Sequence, residues 1–119
     1  MNKIDQFQRD CMRTANGMDY NSYFKNADET LLMNAVMGLN GEAGECIDIV
    51  KKWLFQGHYL DRKHLIEELG DVAWYLAVAC ESIDVPLSDC FDGVIEKLKK
   101  RYPDGFDSRR SINREEVKD

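Results

Sequence analysis

Residues 72–80 (VAWYLAVAC) form an uninterrupted apolar run within a longer stretch whose apolar residues recur at helical spacing. A helix without a polar face is buried on every side. A chain of 119 residues contains too little other sequence to surround such a helix, so we expect a second copy to cover part of it. The sequence therefore predicts an all-α fold, a four-helix antiparallel bundle that is completed by homo-oligomerisation.

The spacing of apolar residues predicts four helices, and no segment shows the alternation that is typical of a strand. The first helix covers residues 4–15 and stops at residues 16–18, and residues 20–26 are expected to be irregular. Asp28 is expected to cap the second helix, which ends at residues 56–58.

Capping residues also mark the other two predicted helices. Asp61 caps the third helix, which runs to about Ile83. Pro86 opens the fourth, whose basic residues 99–101 suit the negative end of the helix dipole. The polar C-terminal segment, residues 103–119, is expected to be an ordered loop with a frayed end.

Length and composition indicate one globular domain, residues 1–119. The net charge of −6 argues against a nucleic acid polymer as partner. No apolar run approaches the roughly 20 residues that cross a bilayer, and residues 1–6 lack the apolar stretch of a signal peptide. We therefore expect no membrane association and a cytoplasmic location. The cysteines contain no C-x-x-C pair, which argues against a zinc site or a disulfide framework.

Two pairs of carboxylates stand three residues apart, Glu42 with Glu45 in the second helix and Glu68 with Asp71 in the third. This spacing puts both side chains of a pair on one helix face. Antiparallel helices joined by a short turn at residues 57–61 would place the pairs opposite one another. Four carboxylates at close range repel each other, and a hard divalent cation relieves that repulsion. An all-oxygen set without histidine matches Mg²⁺, with Mn²⁺ as the alternative ion.

Solvated helix faces are the competing interpretation, because a chain with 22 acidic residues produces same-face pairs by chance. Both pairs, however, stand in the most apolar parts of their helices, where unpaired carboxylates would be costly. A di-iron carboxylate bundle would need Glu-x-x-His motifs on two helices. The histidines, His58 and His64, follow no such glutamate, so the sequence favours an all-carboxylate metal site.

Glycines accompany both acidic pairs, with Gly41 and Gly44 around the first and Gly70 beside the second. Each glycine inside a helix costs roughly 1 kcal/mol relative to alanine. Such positions are expected to serve a close backbone approach or to leave room for a ligand. Gly41, together with Gly38, could also bend or interrupt the second helix.

Three motifs in a fixed order carry a resemblance to a known family: GEAGE at residues 41–45, EELGDV at residues 67–72 and KLKKRYP at residues 97–103. Over residues 31–114 the chain resembles the MazG-like nucleoside triphosphate pyrophosphohydrolases. These belong to an all-α superfamily that also includes dimeric dUTPases and phosphoribosyl-ATP pyrophosphatase. The resemblance implies a homodimer or homotetramer with active sites near the subunit interface.

The resemblance also implies roles for particular residues. It assigns the metal ligands and catalytic carboxylates to Glu42, Glu45, Glu68 and Asp71. It assigns the contacts to phosphate to Lys97 and Arg101. At Gly41 and Val94 the chain departs from the pattern, since many relatives have a glutamate and an asparagine at these positions.

The implied reaction hydrolyses a nucleoside triphosphate to its monophosphate and pyrophosphate. Water would attack the α-phosphorus, and metal ions held by the carboxylates would neutralise the charge on the departing pyrophosphate. Lys97 and Arg101 stand one helical turn apart and would hold the outer phosphates. A spare carboxylate, Glu42 or Glu45, would accept the proton of the water.

Two further side chains are candidate substrate contacts. Lys52 lies on nearly the same face as the first acidic pair, and it either reaches phosphate or pairs with Asp48. Tyr75 follows Asp71 by one turn and either stacks on a base or belongs to the core, whereas Trp74 points more to the side.

Two alternatives to this activity stay open. The departures at Gly41 and Val94 leave room for a non-catalytic helical oligomer that binds a nucleotide or serves as an interaction module. A nucleotide-like substrate such as phosphoribosyl-ATP is the other alternative.

Overall fold

The computed structural model describes residues 1–15 and 27–114. These residues form five helices and no strand, which confirms the predicted all-α class. The helices are α1 (Lys3–Ala15), α2 (Ala27–Phe55), α3 (Arg62–Ser82), α4 (Leu87–Arg101) and α5 (Ser108–Ile112). No helix in the two described ranges combines the length and hydropathy of a membrane-spanning segment.

The predicted starts of α3 and α4 agree with the structure. Asp61 precedes α3, and its Oδ1 accepts a hydrogen bond from the backbone N–H of His64 at 3.1 Å, as an N-cap does. Pro86 precedes α4 with extended backbone angles. Each of these helices therefore begins where local chemistry predicts it.

Helix α2 begins two residues earlier than predicted. Its first residue is Ala27, so Asp28 lies in the first turn instead of before it. The side chain of Asp28, the predicted stop at residues 16–18 and the predicted irregular residues 20–26 all lie outside the described part of the chain.

The C-terminal segment was predicted to be a loop, but part of it forms the short helix α5. Asp107 precedes this short helix, and its carboxylate accepts hydrogen bonds from the backbone N–H groups of Arg109 and Arg110 at 2.8 and 3.4 Å. The cap satisfies donors that the first turn of a helix leaves free. Residues 115–119, where fraying was predicted, lie outside the described residues.

Helices α2 and α3 form a hairpin that is the largest helix pair of the described chain. Helix α2 runs through Gly38 and Gly41 without interruption. The connection that follows it contains Gly57, whose φ of 74° lies in the left-handed region that glycine tolerates. This connection reverses the chain, so α3 packs antiparallel along α2.

Helix α1 is fixed to the junction of α3 and α4 by two polar side chains. Gln8 is buried; its amide group donates a hydrogen bond to the carbonyl of Val85 at 2.9 Å and accepts one from the N–H of Leu87 at 2.8 Å. Asp5 accepts hydrogen bonds from the N–H and the hydroxyl of Ser88 at 2.9 and 2.7 Å, and these lower the pKa of its carboxyl. Helix α1 thus supplies acceptors to the first turn of α4.

The buried core of the described chain is small and lies where α1, α2, α3 and the start of α4 meet. It consists of Cys11, Ala15, Leu31, Ala35, Ala77, Val78, Cys80 and Leu87. Within the apolar run at residues 72–80, only Ala77, Val78 and Cys80 are buried, and the other side chains are half-buried. The single chain therefore does not enclose α3 on every side.

Apolar side chains of α2 and α4 remain exposed in the single chain. They include Met37, Ile47, Leu54 and Phe55 on α2 and Phe91, Val94, Ile95 and Leu98 on α4. The radius of gyration is 17.7 Å, whereas a compact domain of this length has about 13.5 Å. One copy of the chain thus does not form the closed four-helix bundle that was predicted for the oligomer.

Candidate metal centre

Three carboxylates meet between α2 and α3. Glu42 comes from α2, and Glu68 and Asp71 come from neighbouring turns of α3; one ligand oxygen of each lies within 4.8 Å of the others. The i, i+3 spacing on α3 puts its two carboxylates on the same face, and the hairpin brings Glu42 against them. The structure therefore assembles three of the four predicted carboxylates into one cluster.

Glu68 is a largely enclosed member of this cluster, with a side chain that is 15% exposed. Its Oε1 lies 3.1 Å from Nε2 of His64, one turn earlier on α3. Its Oε2 is buried and, while the neighbouring carboxyls are ionised, has no hydrogen-bond donor among the described residues. A buried carboxylate oxygen without a donor is costly, so this atom is a candidate ligand for a cation.

The pKa of the Glu42 carboxyl is raised by its acidic surroundings. A hydrogen bond to Glu68 is the largest cause of a pKa raised to about 7, followed by burial and by the charges of Glu68, Asp71 and Glu45. Without a cation, these groups relieve their repulsion by keeping a proton.

The chemistry of this cluster fits a hard divalent cation. All ligand atoms are carboxylate oxygens, which Mg²⁺ and Mn²⁺ prefer, and a cation would satisfy the buried Oε2 atom of Glu68. Glu42, Glu68 and Asp71 would hold the ion.

The structure places Glu45 outside this cluster. Its side chain is exposed, and its oxygens are not among those within 4.8 Å of one another. Its charge still raises the pKa of Glu42, one turn away, although it is the smallest of the causes.

An open cavity of about 290 Å³ adjoins the cluster and is lined by Glu42, Asp71, Trp74 and Tyr75. The two aromatic rings lie edge to face with centroids 5.0 Å apart. The indole Nε1 of Trp74 donates a hydrogen bond to Oγ1 of Thr14 at 3.1 Å. Trp74 therefore faces the same cavity as Tyr75, whereas it was expected from the sequence to point more to the side.

Gly38 explains how the Tyr75 ring comes so close to α2. A Cβ atom at position 38 would overlap the ring, so the absence of a side chain permits this contact. Gly41, Gly44 and Gly70 differ, because a Cβ built on them would meet no described atom within 4 Å beyond the adjacent part of their own helix. Within one chain these three glycines leave space, and Gly38 alone among the four serves a close approach.

The predicted basic contacts do not line this cavity. Nζ of Lys52 pairs with Oδ2 of Asp48 at 3.0 Å, which was the alternative interpretation of this lysine. Lys97 is exposed on α4. The guanidinium of Arg101 lies over the ring of Tyr102, 5.7 Å from its centroid.

His64 is a neighbour of the cluster that the sequence interpretation considered only as a di-iron ligand. Its position four residues before Glu68 was the available signal, because residues at this spacing meet on a helix surface.

Comparison with known proteins gives two matches. The sequence model of the MazG nucleotide pyrophosphohydrolase domain matches residues 31–106. The chain is similar to the Gene 37 protein of Mycobacterium phage L5, with 38% identity over 87 residues that cover 70% of this chain and 76% of that protein. No solved structure matches the chain significantly.

Proposed function

Because this chain belongs to the MazG nucleotide pyrophosphohydrolase domain family, we propose that it is a Mg²⁺-dependent enzyme that converts a nucleoside triphosphate to its monophosphate and pyrophosphate. The observation that carries the proposal is the cluster of Glu42, Glu68 and Asp71 around a buried oxygen that has no described donor. A divalent cation would neutralise such a cluster, and phosphoryl chemistry uses one.

A divalent cation held by these carboxylates would neutralise charge on the phosphates and acidify the attacking water. The protein's own part is to orient the ligand oxygens and to accept a proton. Glu42 or Glu45 would accept the proton of the water. Glu45 is suited to this role because it lies one turn from Glu42 and outside the cluster.

The adjoining cavity supports a nucleotide as substrate. Its carboxylate wall, Glu42 and Asp71, would face the metal-bound phosphates, and its aromatic wall, Trp74 and Tyr75, would contact the base or ribose. Base stacking on aromatic rings tolerates different bases, because every base has a π-face.

Lys97 and Arg101 remain the proposed contacts to the outer phosphates. Their positions are the reason to propose that a second copy of the chain completes the site. Neither lines the cavity of its own protomer. Helix α4, which carries both, exposes Phe91, Val94 and Ile95. We infer that the protein is a homodimer or homotetramer in which these apolar faces are covered and basic residues come to lie beside the cavity.

A nucleotide panel tests the proposed activity. Common ribo- and deoxyribonucleoside triphosphates and modified-base analogues are incubated with the protein, with Mg²⁺ or with a chelator. We expect at least one substrate to yield monophosphate and pyrophosphate in equal amounts, and only with Mg²⁺. Orthophosphate and a nucleoside diphosphate as products, or no turnover of any nucleotide, would contradict the proposal.

The same panel, extended by phosphoribosyl-ATP and by binding measurements, distinguishes the two alternatives. Nucleotide binding without turnover, measured by calorimetry, would favour the non-catalytic oligomer. Turnover of phosphoribosyl-ATP alone would favour the nucleotide-like substrate.

A further inference from the structure

We propose that His64 is a positioning residue for the metal site: its Nε2–H holds Oε1 of Glu68, so that Oε2 of Glu68 is directed to the ion shared with Glu42 and Asp71. The inference rests on the metal site of the proposed function. It assigns a role to a histidine that would not itself ligate the metal.

The direction of the hydrogen bond follows from the two partners. Nε2 of His64 and Oε1 of Glu68 lie 3.1 Å apart. An ionised carboxylate can only accept, so Nε2 of the imidazole carries the hydrogen in this contact. One oxygen of Glu68 is thereby occupied, and the other remains buried without a described donor.

The carboxylate needs such a partner because its own torsion does not fix it. Rotation about the last bond of a glutamate side chain is broad, without sharply defined minima. A hydrogen bond to one oxygen selects one orientation and points the second oxygen into the cluster. Hydrogen bonds to ligating side chains orient them in many metal sites.

His64 is itself held at the start of α3. Its backbone N–H donates to Oδ1 of Asp61 at 3.1 Å, and its Nδ1 lies 4.0 Å from Oδ2 of the same residue. Asp61 thus caps the helix and also stands beside the imidazole. His64 is 47% exposed and Glu68 is 15% exposed, so the ring lies on the solvent side of the carboxylate.

Two substitutions of similar length separate the hydrogen bond from packing. His64→Gln retains an N–H donor at the end of the side chain, whereas His64→Met does not. His58→Ala is the matched control, because His58 is the other histidine of the chain and is exposed in the connection after α2. The readout is the Mn²⁺ dissociation constant, with free Mn²⁺ measured by electron paramagnetic resonance. Melting temperatures check that each variant is folded.

We expect His64→Met to weaken Mn²⁺ binding about 10- to 100-fold, the range for loss of a partner of a metal ligand. His64→Gln should restore most of the affinity, and His58→Ala should match the wild type. Equal affinity of wild type and His64→Met, or equal weakening by Gln and Met, would overturn the positioning role while the proposed function stands. A wild-type protein that does not bind Mn²⁺ would contradict the metal site itself, and the inference with it.

Discussion

A carboxylate oxygen of Glu42 on α2 lies within 4.8 Å of one of Glu68 on α3. Two carboxyl groups this close can share a hydrogen bond only if one of them is protonated. Such a shared proton raises the pKa of Glu42 to about 7, and it lets the α2–α3 hairpin tolerate its acidic cluster without an ion. A bound cation would take the place of this proton.

The first prediction concerns the pH dependence of stability in the metal-free protein. The pKa of Glu42 is raised from its ordinary value of 4.5 to about 7. Between these values the folded state binds more protons than the unfolded state, so the free energy of unfolding should fall as pH rises through this window. Urea unfolding in the presence of a chelator measures it.

Glu42→Gln should flatten the pH dependence in that window. Glu96→Gln, a substitution on the exposed face of α4, should leave it as in the wild type. A wild-type stability that rises between these pH values would contradict the shared proton.

The second prediction separates the metal ligands from Glu45. Loss of a partner of a ligand already weakens metal binding about 10- to 100-fold, so Glu68→Gln and Asp71→Asn should weaken Mn²⁺ binding at least about 100-fold. Glu45→Gln should have less effect than either, because Glu45 lies outside the cluster. Isothermal titration calorimetry compares them. Equal losses for all three variants would mean that the fourth carboxylate also binds the ion.

The third prediction concerns Gly38. In Gly38→Ala the new methyl group would overlap the Tyr75 ring, and overpacking of this kind costs about 1–3 kcal/mol. Replacing glycine by alanine in a helix gains about 1 kcal/mol. The variant should therefore be less stable than the wild type or, at most, equally stable. The Michaelis constant for the nucleotide should rise because the ring is displaced.

Gly41→Ala is the control for this substitution, because position 41 lies in the same helix and has open space around it. It should stabilise the protein by up to about 1 kcal/mol. Combining Gly38→Ala with Tyr75→Leu should relieve the overlap. If Gly38→Ala stabilises the protein as much as Gly41→Ala does, the close contact is absent in solution.

The fourth prediction tests the attachment of α1. Gln8→Ala would leave the carbonyl of Val85 and the N–H of Leu87 without their partner, which costs about 1–3 kcal/mol for a buried group. Gln6→Ala removes only an exposed bond to Asp10 and should change stability by less than about 0.5 kcal/mol. Chemical denaturation of both variants gives the comparison, and similar losses would argue against a buried role for Gln8.

Local spacing predicted much of this fold and site. Caps at Asp61 and Pro86 marked two helix starts correctly, and the three-residue spacing of Glu68 and Asp71 put both carboxylates on one face of α3. The same rule does not show that the oxygens of Glu45 lie farther from the others than those of Glu42, Glu68 and Asp71 do. Residues three apart differ by about 60° around the helix axis, and only Glu42 of the α2 pair lies against α3.

The features that spacing missed depend on contacts between distant parts of the chain. Gly38 could be interpreted as a helix breaker, whereas its actual neighbour is Tyr75 on another helix. Trp74 faces the cavity and donates a hydrogen bond to Thr14 of α1. No sequence pattern within α3 predicts this contact. The positions of Lys97 and Arg101 relative to the cluster likewise depend on how α4 packs.

The most direct test of the account compares two adjacent residues of α3. Glu68 belongs to the acidic cluster, whereas Glu67 is exposed. Pyrophosphate release from the best substrate of the panel is measured with Mg²⁺ for Glu68→Gln and Glu67→Gln, and circular dichroism checks that both are folded. We predict that Glu67→Gln keeps the wild-type rate and that Glu68→Gln loses at least about 10²–10³-fold, the scale of removing one electrostatic group from an active site. A folded Glu68→Gln protein that releases pyrophosphate at the wild-type rate would contradict the account.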